Sequence, residues 1–374
     1  MKRSIACVVG ARPNFVKMGP ILKALGRVAP ELRAVLIHTG QHYDEVMSDV
    51  FFQQLGLPNP DVHLEVGSGT QGQQTARILS RFEEWLLQAD PKPSATLVVG
   101  DVNSTLACGL ASVKLGVPLI HVEAGLRSMD RTMPEEINRV VTDAIAELLL
   151  VSEPSGLDNL RHEGRPDSAM FLVGNVMIDV LKAELPIARD LKQPEKMEVS
   201  PGGYALWTMH RPSNVDDPEV LGEIVSALMR IAARLPVVFP VHPRTRARLE
   251  AAGLWATLSA APGVVLSQPL GYLEFLSLSS QARLIITDSG GLQEESTVLG
   301  IPCLTLRENT ERPITVSEGS SSLVGRDTKL LEQLFDDVLA GRYKQSHSPA
   351  HWDGRAGERI AQAVVRFLDS SAPI

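Results

Sequence analysis

Short β-branched runs, each closed by a Gly, Asp, His or Pro, recur along this chain with helical patterns between them. In the first half they are Ile5–Val9, Val35–His38, Thr96–Val99, Leu119–Val122, Leu148–Val151 and Phe171–Val173. Continuous rather than alternating apolarity marks strands buried on both faces, the condition of a parallel sheet. Apolar residues at helical spacing fill the gaps over Val16–Val28, Gln73–Gln88, Ser104–Leu115 and Glu135–Glu147. Strand and helix in regular succession specify an α/β fold. The rhythm lapses from Ala183 to Gly203, a charged, Pro-bearing stretch expected to be a helix end and a linker. It resumes at Tyr204–Met209, Val237–Pro240, Val264–Ser267, Leu284–Thr287 and Cys303–Leu306. Two Rossmann-like domains in tandem are therefore expected, over residues 1–175 and 176–354, facing each other across an interdomain cleft. The amphipathic stretch within 355–374 is expected to pack back on the first domain. A length of 374 residues suits this division, because single cores stop growing near ~250–300 residues.

Composition narrows the function classes. Thirty-six Lys and Arg against 44 Asp and Glu give a formal charge of −8, which argues against a nucleic-acid or polybasic membrane partner. Anionic ligands must then be met by local groups. Hydrophobic residues at 44% and charged residues at 21% are ordinary globular usage and exclude disordered or fibrous classes. The three cysteines, Cys7, Cys108 and Cys303, are odd in number, lie in apolar stretches and form no CxxC pair, which fits a reducing compartment. The apolar run after the basic N-terminus ends at Val9, too short for a signal-peptide core, and no stretch approaches the ~18 residues of a membrane span. A cytoplasmic location is expected.

Ligands of open parallel sheets bind beyond the carboxyl ends of the strands, so residues just after each strand are the candidates. After the first strand, Gly10-Ala-Arg12-Pro13-Asn14 opens a helix with Lys17 one turn in. This is either an ordinary turn with solvated cations or a phosphate site at a helix N-terminus. Val99-Gly100-Asp101-Val-Asn103 ends another strand, and Asp101 or Asn103 suits a helix cap. His121 and Glu123 stand two apart in a strand before a Gly turn, which puts both on one side. Glu135 follows Pro134 at a helix start, where first-turn acids also have a purely structural use. Asp101, Glu123 and Glu135 are nevertheless three carboxyls from neighbouring strand or loop ends, the group that proton transfer near neutral pH requires.

The second half supplies anion-binding chemistry. Met209-His210-Arg211-Pro212 and Pro240-Val-His242-Pro243-Arg244 both place His and Arg just past a strand. Thr287-Asp288-Ser289-Gly290-Gly291 then joins strand to helix through small residues, so that N–H groups and a hydroxyl can approach a phosphate. Glu294 and Glu295 either complement the helix dipole or accept from a ribose diol. Gly67-Ser-Gly69-Thr-Gln-Gly72 matches a dinucleotide fingerprint in spacing but lacks its strand and acidic partner, so a structural loop is expected and no cofactor. His38 with His42, and His347 with His351, are four apart but interrupted by Gly40 and Pro349, so no metal site is expected.

In order along the chain, GARPNFVKMGP, GDVNSTLA, HVEAGLRSMDRTMPEEINR, GNVMIDVL, MHRPSNVD, FPVHPRTR, TDSGGLQEES and LRENTERP resemble the non-hydrolysing UDP-N-acetylglucosamine 2-epimerases nearly end to end. That family has the two-domain fold of GT-B glycosyltransferases. The resemblance implies interconversion of UDP-N-acetylglucosamine and UDP-N-acetylmannosamine by elimination of UDP to 2-acetamidoglucal and re-addition, in support of polysaccharide biosynthesis. It implies that Asp101, Glu123 and Glu135 are acid/base groups, and that Arg12, Lys17 and His210 hold the diphosphate and assist its departure. It gives phosphate to Ser289, Gly290 and Gly291 and ribose to Glu295, with His242 and Arg312 as further cleft residues. A UDP-sugar substrate and a homodimer follow from the same resemblance. Departures stand out at Asn14, where many bacterial members carry an acid, in the segment between Arg127 and Pro134, which is shorter than in some of them, and at Gly40-Gln41-His42-Tyr43-Asp44, where several bacterial members use a Gln-His-Arg type segment to bind a second, activating substrate molecule. A hydrolysing 2-epimerase releasing N-acetylmannosamine and UDP, a GT-B glycosyltransferase and a nucleotide-sugar sensor are the competing readings.

Overall fold

The structure, a computed structural model, describes residues 3–40 and 58–370, except for the side chains of Arg12 and Pro13. The segment Gln41–Asp44, and with it His42, lies outside the described residues. The chain forms two compact units, Met1–Val180 with Ala350–Ile374, and Leu181–Pro349.

The first unit is built on a seven-stranded sheet of β1 (Ser4–Val9), β2 (Arg33–His38), β3 (Val62–His63), β4 (Ala95–Val99), β5 (Leu119–Ala124), β6 (Leu148–Val151) and β7 (Met170–Leu172). Every pairing is parallel and the order is β3-β2-β1-β4-β5-β6-β7. Alternate residues of β1 serve opposite cores. Ile5, Cys7 and Val9 pack with Met18, Ile21 and Leu25 of the Arg12–Val28 helix, while Ala6 and Val8 pack with Ile78, Phe82 and Leu86 of the Gln71–Gln88 helix. The two-sided apolarity of the strand sequence is thus accounted for.

The C-terminal helix, Ala356–Ser370, lies against the Arg12–Val28 helix and the same core through Ile360, Val364 and Leu368. Burying three such side chains is worth on the order of 5 kcal/mol, whereas the exposed Arg3–Asp369 ion pair contributes below about 1 kcal/mol, so apolar contact holds the helix. Asp179 fixes its start by accepting from Ala356 N–H at 3.0 Å and Gly357 N–H at 2.7 Å.

The second unit repeats the plan with six parallel strands: β8 (Ala205–Thr208), β9 (Val237–Pro240), β10 (Val264–Ser267), β11 (Leu284–Thr287), β12 (Cys303–Thr305) and β13 (Ser321–Leu323). Their order is β10-β9-β8-β11-β12-β13. The stretch from Ala183 to Gly203 holds a helix end, since the Val176–Asp190 helix runs through Pro186 and stops at Asp190, and a further turn, Gln193–Lys196, interrupts the connection that follows. Both sheets reverse strand order once, between β1 and β4 and between β8 and β11. Such switch points are where open α/β sheets take their ligands, at the carboxyl edge, and the candidate residues lie there.

Candidate active site

At the switch point of the first unit the turn after β1 is tied to the end of β4 by Asn14. Its Nδ2 donates to the Val99 carbonyl at 2.6 Å and its Oδ1 accepts from Ala11 N–H at 3.1 Å, so an amide serves here where a carboxylate could not donate. One turn on, the Lys17 ammonium donates to Oε2 of Glu123, in an ion pair with only 3% of the Glu123 side chain exposed. Glu123 does not follow the expected alternation. The β5–β6 register slips between Val122 and Ala124, and Glu123 takes a left-handed φ of 68°. A bulge of this kind re-aims a side chain, and here it brings the carboxylate to Lys17 beside Gly100.

Asp101 does not cap the next helix, and neither does Asn103, because the N-cap is Val102. Asp101 instead accepts from Arg139 at 3.2 Å, and its carbonyl accepts from Asn138 Nδ2 at 2.8 Å. The amide of Asn103 donates to Gln71 at 2.7 Å and to Gln74 at 2.8 Å. Glu135 lies on the Pro134–Ile145 helix one turn before Arg139, on the same face, half-buried and without hydrogen bond or ion pair among the described residues. Its neighbour Glu136 has a structural task, accepting from Ser128 N–H, Ser128 Oγ and Met129 N–H and pairing with Arg139. The structure therefore brings Lys17 to Glu123, and Asp101 to the helix that carries Glu135. The side chain of Arg12 is outside the described set.

Sequence reasoning missed the organiser beneath these groups, Asp143, which touches His121, Gly125 and Arg127. Burial alone would raise this carboxyl, but the adjacent His121 and Arg127 and the Gly125 N–H hold it below the usual carboxylate range. An acid on a helix gives no signal of such a role without the strand packed against it. The Gly67–Gly72 stretch, for its part, ends in a capping box: Thr70 accepts from Gln73 N–H at 3.4 Å.

The second unit's switch point is organised by Asp288, after β11. Its Oδ2 accepts from the N–H groups of His210 at 2.9 Å and Arg211 at 2.8 Å, and Asn214 donates to it at 3.1 Å. Its Oδ1 lies 3.0 Å from Nδ1 of His210, whose ring is 43% exposed. Desolvation pushes the Asp288 carboxyl up, and the imidazole with the two N–H groups brings it below its ordinary value. The His242 ring is 5.6 Å from that of His210. His242 also caps its own helix by accepting from Arg244 N–H at 3.2 Å, and desolvation, then His210, lowers its pKa.

Ser289 is the N-cap of the Gly290–Leu299 helix. A Cβ at Gly290 would meet Glu311 Oε1 at 2.8 Å, whereas one at Gly291 would meet nothing within 4 Å. Gly291 thus leaves the helix N-terminus, with its unsatisfied N–H groups, open to an anion. Beside it, Arg307 pairs with Glu311 at 2.7 Å and has Nη1 buried without a hydrogen-bond partner among the described residues. Against the pull of burial, Arg307 and Arg312 bring the Glu311 carboxyl down to about 2. Arg312 is bound to Glu294. Glu295 is buried and has no hydrogen bond or ion pair among the described residues, and burial followed by repulsion from Glu294 pushes it up to about 8. Among the described residues no group of three or more His, Cys, Asp or Glu could hold a metal ion, and no helix is long and apolar enough to cross a membrane.

Residues 25–365 match the family model described as UDP-N-acetylglucosamine 2-epimerase. The UDP-N-acetylglucosamine 2-epimerase of Methanocaldococcus jannaschii is 41% identical over 370 residues, 98% of this chain and 99% of that protein. The UDP-2,3-diacetamido-2,3-dideoxy-D-glucuronate 2-epimerase of Pseudomonas aeruginosa is 40% identical over 366 residues, 97% of this chain and 99% of that protein. The crystal structure of the Methanocaldococcus jannaschii enzyme in complex with UDP-GlcNAc and UDP matches with a TM-score of 0.83 at 40% identity, covering 97% of this chain and 99% of that one. A family match over almost the whole length, on two parallel sheets that place acids at one switch point and an open helix N-terminus at the other, makes this chain a member of the UDP-N-acetylglucosamine 2-epimerase family.

Proposed function

We propose that this protein interconverts UDP-N-acetylglucosamine and UDP-N-acetylmannosamine without hydrolysis. The observation that carries the reading is the ion pair of Lys17 with Glu123 at the carboxyl edge, beside Gly100 and next to Asp101, in a chain of this family. The sugar C2 proton is not acidic, so inversion there proceeds by elimination. The C2–H bond breaks with the proton passing to a carboxylate, the C1–O bond breaks with its electron pair leaving on UDP, and C1=C2 of 2-acetamidoglucal forms. Re-addition of UDP with protonation on the other face gives the epimer. No net oxidation occurs, so the route calls for no redox cofactor.

In this reading Asp101, Glu123 and Glu135 move the protons, and Lys17, the ion-pair partner of Glu123, helps to hold the diphosphate. The second unit holds UDP, a division of labour like that of GT-B enzymes. Ser289, Gly290 and Gly291 meet phosphate, Glu295 the ribose, and His210, positioned by Asp288, steadies the departing diphosphate with Arg12, while His242 and Arg312 line the site. The same reading has the enzyme work in the cytoplasm as a homodimer.

The relative from Pseudomonas aeruginosa favours a second substrate reading, the same C2 inversion on a 2,3-diacetamido uronic acid. Incubation in D2O with each UDP-sugar, followed by NMR of sugar H1 and H2, tests both. Formation of the manno nucleotide sugar with deuterium at C2 is expected. Free N-acetylmannosamine with stoichiometric UDP would replace the proposal with hydrolysis, and unchanged UDP-N-acetylglucosamine beside a converted uronic acid would replace the substrate.

A further inference from the structure

Asp143 carries no part in the chemistry above, yet its two oxygens reach three residues. Oδ1 lies 2.6 Å from Nδ1 of His121, with both side chains 0% exposed. Oδ2 accepts from Gly125 N–H at 2.9 Å and lies 2.8 Å from Nη1 of Arg127. The other His121 nitrogen, Nε2, is 2.9 Å from the Gly100 carbonyl oxygen. Arg127 in turn holds Glu163 with two bonds, Nε to Oε1 at 2.8 Å and Nη2 to Oε2 at 2.6 Å.

Hydrogens can be counted in this chain of contacts. A carbonyl oxygen only accepts, so Nε2 of His121 carries a hydrogen. Asp143, facing a guanidinium and a backbone N–H, is a carboxylate, which also only accepts, so Nδ1 carries one too. A neutral imidazole has a single N–H. The buried carboxylate of Asp143 thus faces two buried cations, His121 and Arg127, and Arg127 reaches outward to Glu163, whose side chain is 36% exposed.

We propose that His121 is a buried imidazolium bridging Asp143 to the Gly100 carbonyl, and that this bridge is the positioning element for the three proton-transfer carboxyls. The second half rests on the function proposed above. Asp143 sits on the Pro134–Ile145 helix that carries Glu135, Gly125 follows Glu123 by two residues, and Gly100 immediately precedes Asp101. One buried carboxylate therefore ties together the segments from which all three acids project. Charge-assisted bonds are roughly twice as strong as neutral ones, which makes the tie stiff.

The substitution Asp143→Asn separates charge from shape. It leaves an oxygen for Gly125 and Arg127 and offers an amide N–H to Nδ1, so the ring keeps only its Nε2 hydrogen and the His121 contact survives as a neutral bond. In the full chain labelled with 15N-histidine, NMR is expected to show two ring N–H groups for His121, identified by their loss in His121→Gln, and one in Asp143→Asn. Steady-state turnover of UDP-N-acetylglucosamine by Asp143→Asn is expected to show kcat reduced at least tenfold and KM within threefold, with the thermal transition retained. A single ring N–H in the wild type would overturn the charged bridge. A folded Asp143→Asn enzyme with kcat within twofold of wild type would overturn the positioning role. Two ring N–H groups in a wild type that turns over no nucleotide sugar would leave the bridge standing and sink the proposed function, and the positioning role with it.

Discussion

The ammonium of Lys17 ends on the carboxylate of Glu123, which is almost wholly buried and reaches that point because its own backbone is left-handed. A buried carboxylate stripped of its counter-charge is left uncompensated, which weakens the fold and loosens its placement. In Lys17→Met kcat is expected to fall by about 10²-fold, the lower end of what a positioned proton-transfer group supplies, with the unfolding midpoint lowered. Unchanged turnover would show that the ion pair does not serve the reaction.

Gly100 → Ala tests the same corner from the backbone. Gly100 has φ 70°, and a Cβ there would lie 3.2 Å from Glu123 Oε2 and 3.4 Å from Lys17 Nζ. The left-handed conformation alone costs a non-glycine residue about 1–2 kcal/mol. Chemical denaturation should show a loss of that size, with turnover reduced because the new methyl crowds the ion pair. An unchanged midpoint with normal turnover would mean that the turn relaxes freely.

Gly291→Ala should behave in the opposite way. Gly291 lies in the first turn of its helix with ordinary φ, and a Cβ meets no protein atom within 4 Å. Alanine in a helix is more favourable than glycine by about 0.5–1 kcal/mol, so the variant should be slightly more stable. If phosphate lies on these N–H groups, the methyl intrudes on the ligand, and calorimetry should show UDP binding at least tenfold weaker. Stabilisation with undiminished affinity would move the phosphate elsewhere.

Much of the two sheets was legible in the sequence because buried parallel strands write themselves as apolar runs. β3, two residues long, and β13, which reads Ser321-Ser-Leu323, are too short and too polar for that signal. The charged, Pro-bearing stretch from Ala183 marks a helix end in sequence, but not its last residue: the helix runs through Pro186 to Asp190. At the site, strand ends pointed to Asp101, Glu123 and His210, since any residue there faces the carboxyl edge. Local pattern could not reveal what those side chains touch. The bulge at Glu123 puts a left-handed backbone on a non-glycine residue, which no spacing rule anticipates. Val102, not a polar neighbour, occupies the N-cap, because Asn103 is drawn off by Gln71 and Gln74 from another helix. Asp143 reads in sequence as an ordinary helix acid and Asp288 as one residue of a small-residue turn, yet both are fully buried, since their partners come from other strands and turns.

Glu295→Gln sets stability against binding. Burial and the neighbouring Glu294 raise the Glu295 carboxyl to about 8, so near neutral pH the folded chain holds a proton that the unfolded chain, with an ordinary carboxyl near 4.5, has released. Stability falls with pH wherever the folded state binds more protons, so this residue weakens the fold progressively from about pH 4.5 to about pH 8. Glutamine is isosteric and neutral, and Glu295→Gln should raise the unfolding midpoint at pH 8 while leaving it nearly unchanged at pH 4. A ribose diol donates two hydrogen bonds best to an ionised carboxylate, so the same variant should bind UDP about tenfold more weakly, the usual conflict between a stable fold and a strained functional residue. Stabilisation without loss of affinity would remove Glu295 from the nucleotide site, and loss of affinity without stabilisation would mean that the carboxylate is already compensated in the free protein.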